Sequence, residues 1–301
     1  PDGQKNVGMT IPAPWWFQHL YAGFTGAREY KKVDGKIVSV WTLPEQKEAL
    51  KFINKMYKDG ILDKEVFVHV QHRDELAKFS TGKVGVMLGD FSDLLKVEKQ
   101  LSDYKASAVL DILPADMKGP GGVARQTGAK FWRGIGVSTK SVDQIRCFDM
   151  LEYMLTEEGM NLFKFGVEGV HFTKDGDKMV KNKEVYEHEN WGIEGKSPFH
   201  RLKAVVDWGP YYPAEMYKYP QIPEKFFATD ASGFGRSIIE GKPIPVMKDV
   251  GAQLMDIYRK YEAAFISGEL DIDANWDKFQ DEYRKAGYDK VEKEVNELYN
   301  K

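Results

Sequence analysis

The stretch "RDELAKFSTGKVGVMLGDFSD" (73–93) contains two kinds of local structure in direct succession. Its first part has the composition of a short helix, and Gly82 is typical of the residue that ends one. "KVGVMLGD" (83–90) follows as an apolar run between glycines, which predicts a buried strand with close backbone neighbours. A strand that is preceded and followed by helices is typical of an α/β architecture with a covered sheet.

The neighbouring segments extend this alternation. "LPEQKEALKFINKMYKDGIL" (43–62) has apolar residues at helical spacing, and predicts a helix with Pro44 in its first turn and Gly60 after its end. Further helices are predicted over 93–104, 246–266 and two later segments separated by Gly287. Residues 141–166 predict one long helix or a helix pair, with Ser141 as N-cap and a break at Glu158–Gly159. Further strands are predicted over 106–115 and 131–139, and a short hairpin after Gly166.

Composition excludes several classes of function. The chain has 301 residues, 42% of them apolar and 30% charged, which fits a soluble globular protein of about two domains. Its formal net charge of -3 argues against nucleic acid as a partner. The sequence contains no apolar run of the ~20 residues that span a membrane. Cys147 is the one cysteine, so no intrachain disulfide forms, and its apolar helical setting predicts a buried structural thiol.

Two segments interrupt the regular pattern. "MKGPGGVARQTG" (117–128) is rich in glycine and predicts a linker. Residues 173–235 are rich in proline, glycine and tyrosine without helical or strand periodicity. A long irregular stretch of this kind is more often a functional or covering loop than a packing element.

Four motifs occur in an order that is known from one family: "EALKFINKMYKDGILD" (48–63), "STGKVGVMLGD" (80–90), "LTEEGMNLFKFGVEGVHFT" (155–173) and "YEAAFISGELDIDANWDKFQDEYRKAGYDKVEKEVNELY" (261–299). Together they cover much of the chain. With these four motifs in this order, the chain resembles the extracellular solute-binding proteins of family 1, the group that includes maltose-binding protein. The nearest branch looks like the lipoprotein-type oligosaccharide binders of Gram-positive bacteria.

The resemblance implies an α/β fold of the periplasmic-binding-protein-like type II, with two lobes joined by a hinge. It also implies that the first lobe is incomplete in this chain. Residues 1–122 and 246–301 would then form the C-terminal lobe, and residues 123–245 would return to the N-terminal lobe.

The function implied by the resemblance is that of the substrate-binding subunit of an ABC importer, which captures an oligosaccharide in the cleft between its lobes. Such a protein catalyses no reaction and needs no cofactor. Its expected partners are the sugar and the permease subunits in the membrane. Its expected location is extracellular, with a lipid anchor on the full-length protein, or periplasmic in a Gram-negative cell.

Sugar rings present an apolar face and a rim of hydroxyls, so their sites combine aromatic side chains with a few placed polar groups. "PAPWWFQHL" (12–20) places Trp15 and Trp16 directly after a predicted strand, and in the family aromatics at this point lie on the cleft floor. Asp90 and Phe91 lie at the carboxyl end of the predicted strand, where open α/β sheets bind ligands. The alternatives are that one tryptophan packs in the core and the other caps a helix, and that Asp90 or Ser92 is a helix N-cap.

Further candidates follow along the chain. Trp132 and Arg133 lie on a segment that resembles the hinge-crossing strand, and strand alternation allows at most one of them to face the cleft directly. The irregular segment contributes the remaining candidates, Trp191, Asp207, Trp208 and Tyr211, which could equally pack within their own lobe. Trp276 falls on a helix face and is expected in the core.

Glu168 lies between two glycines in "GVEGVHFT" (166–173). Glycoside hydrolysis needs a second carboxylate across the scissile bond, and the sequence offers no obvious partner. His171 has no companion at metal-ligand spacing. Glu168 is therefore expected in a turn or at the rim of the ligand cleft, and no metal site is expected, including at the turn that contains Asp2 and Asn6.

Three other functions stay open at this point. A binder of peptides or of uronic sugars would need different polar groups, and Arg125 and Arg133 are the cations that could meet a uronate carboxylate. A glycoside hydrolase or lyase would need paired acids in an aromatic cleft. An interaction module would be favoured if the tryptophans were buried.

Overall fold

The computed structural model of the protein describes residues 7–68, 74–89, 94–113, 118–122, 136–159, 162, 166–176, 178–182, 225, 237–239 and 241–300. The helices in these segments are α1 (Phe17–Thr25), α2 (Pro44–Lys58), α3 (Asp74–Ser80), α4 (Leu94–Tyr104), α5 (Gln144–Leu155), α6 (Met247–Ser267), α7 (Ile272–Tyr283) and α8 (Asp289–Tyr299). The strands are β1 (Val7–Thr10), β2 (Tyr30–Val33), β3 (Lys36–Ser39), β4 (Val84–Met87), β5 (Phe172–Asp175) and β6 (Lys178–Lys181). Helices and strands thus alternate through the first part of the chain, and three helices follow one another at its end.

Contacts between residues divide the chain into two compact units. Unit 1 consists of Pro1–Ala129 together with Pro213–Lys301, and unit 2 consists of Lys130–Tyr212. Two distant parts of the sequence therefore build unit 1. The assignment of chain segments to the lobes of a two-lobed fold stays a prediction.

The sheet of unit 1 is parallel around β1. Strand β4 pairs with β1 in parallel, with Val7 opposite Val84 and Met9 opposite Val86. Leu62 forms a parallel bridge to Met9, on the hydrogen-bonding edge that β4 does not use. The predicted strand over 83–90 is confirmed at Val84–Met87, but of these residues only Val84 is buried.

Helix α2 forms where the sequence predicts it. Pro44 occupies the first turn, where its missing N–H costs no hydrogen bond, and Gly60 adopts a positive φ of 71° after the last turn. The apolar face contributes Ala49, Leu50 and Ile53, all fully buried. Helix α2 packs against both α1 and α6, so it lies at the centre of the core of unit 1.

Aromatic side chains fill the core between α6 and α7. Phe279 lies within 5.2–6.4 Å, between ring centroids, of Tyr258, Tyr261 and Phe265. Trp276 joins this group and is buried, as the sequence predicts. Pairs of aromatic rings at these distances add stability beyond the area that they bury.

The end of α7 turns sharply before α8 begins. Gly287 lies in the intervening turn at a φ of 117°, a conformation that side chains with a Cβ rarely adopt. A Cβ at this position would lie 2.7 Å from Val250 Cγ1. The predicted break at Gly287 is therefore confirmed, and it lets α8 return along β3.

The start of the predicted linker is docked on α1. The Gly121 amide donates a hydrogen bond of 2.8 Å to the Gly23 carbonyl oxygen. A Cβ at Gly119 would overlap the Gly23 carbonyl group. The glycines at 119 and 121 thus permit backbone packing that no other residue type would allow, and residues 118–122 do not leave unit 1.

Unit 2 is described through α5 and the β5–β6 hairpin. The hairpin pairs in antiparallel register, with Phe172 opposite Lys181 and Asp175 opposite Lys178, and it confirms the predicted turn after Gly166. Helix α5 begins after Asp143, whose side chain accepts a hydrogen bond of 2.9 Å from the Arg146 amide.

Three local predictions are wrong. The N-cap of α5 is Asp143 and not Ser141, because its carboxylate reaches the free amide of the first turn. The helix breaks at Thr156 and not at Glu158–Gly159, and residues 157–159 are helical again. Residues 108–113 form no strand although their composition favours one, because none of them pairs with a neighbouring strand.

None of the helices in the described segments has the length and apolar content needed to cross a membrane.

Candidate ligand-binding site

The candidate site begins at the carboxyl edge of the parallel sheet of unit 1. Strand β1 ends at Thr10, and the amide of Leu88, just after β4, donates to the Thr10 carbonyl oxygen over 3.3 Å. Along the side of β1 that faces away from β4, the Asp63 amide donates to the Met9 carbonyl oxygen over 2.9 Å. Three chain segments therefore leave the sheet at the same edge, which is where open α/β sheets bind their ligands.

The segment that leaves β1 turns at once into α1 and carries the two tryptophans. Ala13 is extended, and Pro14–Trp16 form a single tight turn that is closed by the Trp16 amide and the Ala13 carbonyl oxygen, 2.9 Å apart. Phe17 then starts α1. The fixed φ of Pro14 suits this first turn and orients the side chains that follow.

The two tryptophans have different environments. Trp15 keeps 46% of its surface exposed, whereas Trp16 keeps 6%. Trp16 belongs to the core cluster of unit 1, together with Ile11 and Phe17. Of this pair, Trp15 is therefore the side chain that can stack on a ligand, and Trp16 supports it from within the core.

His19 extends the two indoles into a short series of rings. The ring centroids of Trp15 and Trp16 lie 5.1 Å apart with a tilt of 40°, and those of Trp16 and His19 lie 4.9 Å apart with a tilt of 33°. We name Trp15, Trp16 and His19 the aromatic row. His19 is half-buried, so the row has an exposed indole at one end and an imidazole at the other.

A partly buried ion pair, with Asp63 as its buried member, stabilises the same edge of the sheet. Lys78 of α3 contacts Asp63 Oδ2 at 2.6 Å and Glu65 Oε2 at 2.5 Å. The Thr10 hydroxyl donates to Asp63 Oδ2 over 3.0 Å. Burial alone would raise the pKa of Asp63, but hydrogen bonds from Lys78, the Glu65 amide and Thr10 outweigh it and lower that pKa. Asp63 is therefore ionised and engaged within the protein, which makes it structural.

A second polar cluster lies in the core under α1. The Tyr21 hydroxyl donates to Glu262 Oε1 over 2.6 Å, and the Tyr258 hydroxyl donates to the same oxygen over 3.1 Å. Burial raises the pKa of the Glu262 carboxyl to about 7, against the opposing effect of the two tyrosine hydrogen bonds. Burial and the neighbouring carboxyl raise the pKa of both tyrosines. This cluster joins α1, which carries His19 and follows the two tryptophans, to α6.

Glu168 lies in a turn of unit 2. It is exposed, forms a bridge to Phe172, and contacts Lys174 with its Oε2 atom 3.1 Å from Nζ. The turn is closed by the imidazole of His171, whose Nδ1 accepts the Val167 amide over 2.9 Å. A turn position and an ion pair with a neighbour agree with the expectation for Glu168, while its role towards a ligand stays a prediction.

The other candidate residues lie outside the described segments: Asp90, Phe91, Trp132, Arg133, Trp191, Asp207, Trp208 and Tyr211. Their part in binding stays a prediction. Among the described residues, no group of three or more His, Cys, Asp or Glu side chains is arranged to hold a metal ion.

Sequence reasoning missed His19, the Asp63–Lys78 pair and Glu262. The spacing of His19 from Trp16, three residues along a helix, is a signal that could have indicated the ring contact. Glu262 stands in the apolar stretch "YEAAF" (261–265), where a lone acid on a buried helix face indicates an internal hydrogen-bond partner. No short-range pattern links Lys78 to Asp63.

Comparison with known proteins agrees with this architecture. The sequence family described as a domain of unknown function, DUF3502, matches residues 245–301. Lipoprotein LipO of Bacillus subtilis (strain 168) is 24% identical over 330 residues, which cover 99% of this chain and 62% of LipO. The polygalacturonan/rhamnogalacturonan-binding protein YtcQ of the same organism is 26% identical over 161 residues, or 52% of this chain and 32% of YtcQ.

Two solved structures share the fold. The alginate-binding protein AlgQ2, in a crystal structure without calcium ion, superimposes with a TM-score of 0.70 at 16% identity, over 98% of this chain and 64% of AlgQ2. An HMO-binding, ABC-transporter-associated solute-binding protein from Bifidobacterium longum infantis gives a TM-score of 0.63 at 15% identity, over 99% of this chain and 66% of that protein. The chain thus spans less than two thirds of each of these four proteins.

These findings identify the class. The chain has the α/β fold of the type II periplasmic-binding-protein-like group. The resemblance to the extracellular solute-binding proteins of family 1 is confirmed, with a lipoprotein and a polysaccharide-binding protein among its relatives. The relatives and structural neighbours whose activity is named are binding proteins and not enzymes.

Proposed function

We propose that this chain is part of the substrate-binding subunit of an ABC importer and that it captures an oligosaccharide without chemical change. The observation that carries the proposal is the position of Trp15, an exposed indole at the carboxyl edge of a parallel sheet, supported by a buried one. An indole face matches the apolar face of a sugar ring, and a rigid support lowers the entropy lost on stacking. The named functions of YtcQ, AlgQ2 and the Bifidobacterium protein support the same reading.

The polar part of the site is proposed to come from residues near the row and from later segments. Asp90 follows β4 in the sequence, and we propose that it accepts hydrogen bonds from sugar hydroxyls and that Phe91, the next residue, stacks on the sugar. Trp132, Arg133, Glu168, Trp191, Asp207, Trp208 and Tyr211 are proposed to complete the site. Binding there would be followed by delivery to permease subunits in the membrane.

The proposed location follows from the relatives. LipO is named as a lipoprotein, and the Bifidobacterium protein as ABC-transporter-associated. These names suggest an extracellular, membrane-anchored protein. We propose that a lipid anchor on the full-length protein holds it beside its permease.

The proposal is tested by calorimetric titration of the chain with a panel of neutral and uronic oligosaccharides, comparing the parent with Trp15→Ala. Stacking on an exposed indole contributes about 1–3 kcal/mol, so the variant is expected to bind roughly 10- to 100-fold more weakly. Phe52→Ala is the matched control, because Phe52 is 48% exposed on α2 and removes a similar apolar surface. Equal affinity of the parent and the Trp15 variant, or no binding to any saccharide, would contradict the proposal.

An acidic saccharide is the second candidate ligand. Alginate and polygalacturonan are polymers of uronic acids, and they appear in the names of AlgQ2 and YtcQ. A uronate carboxylate would need a cation, for which Arg133 and Arg125 are the candidates. Binding of uronic members of the panel alone, with loss on Arg133→Gln, would select this ligand class.

A further inference from the structure

One buried cluster of polar side chains connects three helices of unit 1. Glu262 belongs to α6, Tyr21 to α1 and Gln46 to α2. Tyr21 and Tyr258 both donate to Glu262 Oε1, and Gln46 Nε2 donates to the Tyr258 hydroxyl over 3.1 Å. Both hydroxyls meet on Oε1, which leaves Oε2 as the oxygen that can carry a proton.

The cluster is close in sequence to the aromatic row. Trp16 is the N-cap of α1, and Tyr21 lies in the second turn of the same nine-residue helix. Its hydroxyl makes a side-chain contact with a residue that is 241 positions away. Because α1 is short, a hydrogen bond from its middle to α6 restricts the orientation of the whole helix and of the indoles at its start.

Burial favours the neutral form of Glu262. The hydroxyls of Tyr21 and Tyr258 and, at longer range, the guanidinium of Arg259 act in the opposite direction and favour its ionised form. Gln46 from α2 is uncharged, and Tyr283 from α7 acts on the Tyr258 hydroxyl. Burial is the largest influence and raises the pKa of Glu262 from 4.5 to about 7.

We infer that Glu262, in its neutral form, is a positioning residue that holds α1 against α6 and so fixes the aromatic row. The inference rests on the proposed function of that row. Ionisation of Glu262 places a negative charge in the core, and release of α1 lets water reach that charge. The attachment of α1 therefore weakens as the pH rises through neutrality.

Proton linkage gives the direction and the size of the expected change in the attachment of α1 with pH. The folded state binds more protons than the open state between the ordinary pKa of Glu262 and its raised value of about 7. Stability from this group is therefore fully present below its ordinary pKa and is lost as the pH rises. Between pH 6 and pH 8 the equilibrium constant for opening α1 is expected to increase about tenfold.

Hydrogen exchange of the α1 amides tests this directly in the full chain. Protection factors, corrected for the intrinsic pH dependence of exchange, are expected to fall about tenfold in α1 between pH 6 and pH 8. In Glu262→Gln they are expected to stay constant, because the amide does not titrate. Glu269→Gln is the matched control, since Glu269 is exposed just beyond the end of α6, and it should behave as the parent.

Helix α5 of unit 2 is the internal reference, because its exchange should not depend on Glu262. Constant protection of α1 in the parent would overturn the inference, as would the same fall in Glu262→Gln. A fall in α6 without one in α1 would also overturn it, since Glu262 would then act on stability alone. The measurement needs no saccharide, so its failure is separate from a failure of the proposed function.

A second variant covers the case in which Glu262→Gln does not fold. Tyr21→Phe removes the hydroxyl of α1 and leaves the acid in place. Its α1 protection at pH 6 is expected to be about fivefold lower than in the parent, relative to α5. Unchanged protection would overturn the inference.

Discussion

Helices α6 and α5 illustrate how one sequence pattern leads to two environments. Both helices repeat apolar residues at helical spacing. In α6 of unit 1 those residues are buried, including Leu254 and Phe265. In α5 of unit 2 many stay exposed, including Ile145 at 76% and Phe148 at 59%. Amphipathic spacing therefore predicts that a helix forms and which face is apolar, but it does not predict how much of that face is covered.

The largest expected effect on stability comes from replacing a phenylalanine by alanine in each of the two helices. Phe265→Ala opens a cavity among the aromatic rings of unit 1 and should lower the free energy of unfolding by about 3–5 kcal/mol. Phe148→Ala in α5 removes a mostly exposed ring and should cost less than about 1 kcal/mol. Urea unfolding followed by circular dichroism measures both. Similar losses for the two variants would show that the face of α5 is covered in solution.

Replacing one glycine of positive φ by alanine in each unit compares the stability that each backbone turn loses. Gly287→Ala should cost about 2–3 kcal/mol, since its φ is 117° and the new Cβ would meet Val250. Gly176→Ala in the β5–β6 turn, at a φ of 59° with open space around it, should cost about 1 kcal/mol. Thermal unfolding of both variants gives the comparison. A smaller loss for Gly287→Ala than for Gly176→Ala would mean that the turn before α8 relaxes.

The smallest expected effect contrasts a partly buried with an exposed ion pair, both within unit 1. Lys78→Met leaves Asp63 buried without its cation, and should lower stability at pH 7 by about 1–2 kcal/mol. Lys99→Met removes an exposed partner of Asp103 at helical spacing, and should cost less than about 0.5 kcal/mol.

The pH dependence of the stability of Lys78→Met separates the loss of the ion pair from the loss of packing. Hydrogen bonds keep the pKa of Asp63 low, so its contribution is present above its ordinary pKa of 3.8 and is lost as the pH falls. The parent and Lys78→Met should therefore converge in stability as the pH is lowered towards 3. A constant difference between them down to that pH would assign the loss to packing of the lysine stem.

Local signals in the sequence predicted the helices well. Pro44 and Gly60 bound α2, and Gly287 separates α7 from α8, because these residue types have conformational requirements that do not depend on distant neighbours. The predicted strand over 106–115 is absent from its described residues, 106–113, for the opposite reason. A strand needs a paired neighbour, and composition does not reveal whether one is present.

The candidate site was predictable only in part. The sequence indicated that an aromatic pair follows β1, but the division of roles between Trp15 and Trp16 depends on which indole meets the core. Tyr21 and Glu262 are 241 residues apart, and the sequence alone does not bring them together. Local sequence patterns predicted the helices and strands that carry the site. The role of each residue depends on its burial and its long-range hydrogen bonds.

The two-part construction of unit 1 has a consequence for synthesis. Helix α2 packs against α6, yet about 190 residues separate the end of one from the start of the other. At ribosomal speeds of ~5–20 residues per second, α2 waits on the order of 10–40 s for its partner. During that interval the apolar faces of α1 and α2 are available to chaperones or export machinery. Unit 1 is therefore expected to be unable to close until its last helices, residues 247–299, have been synthesised.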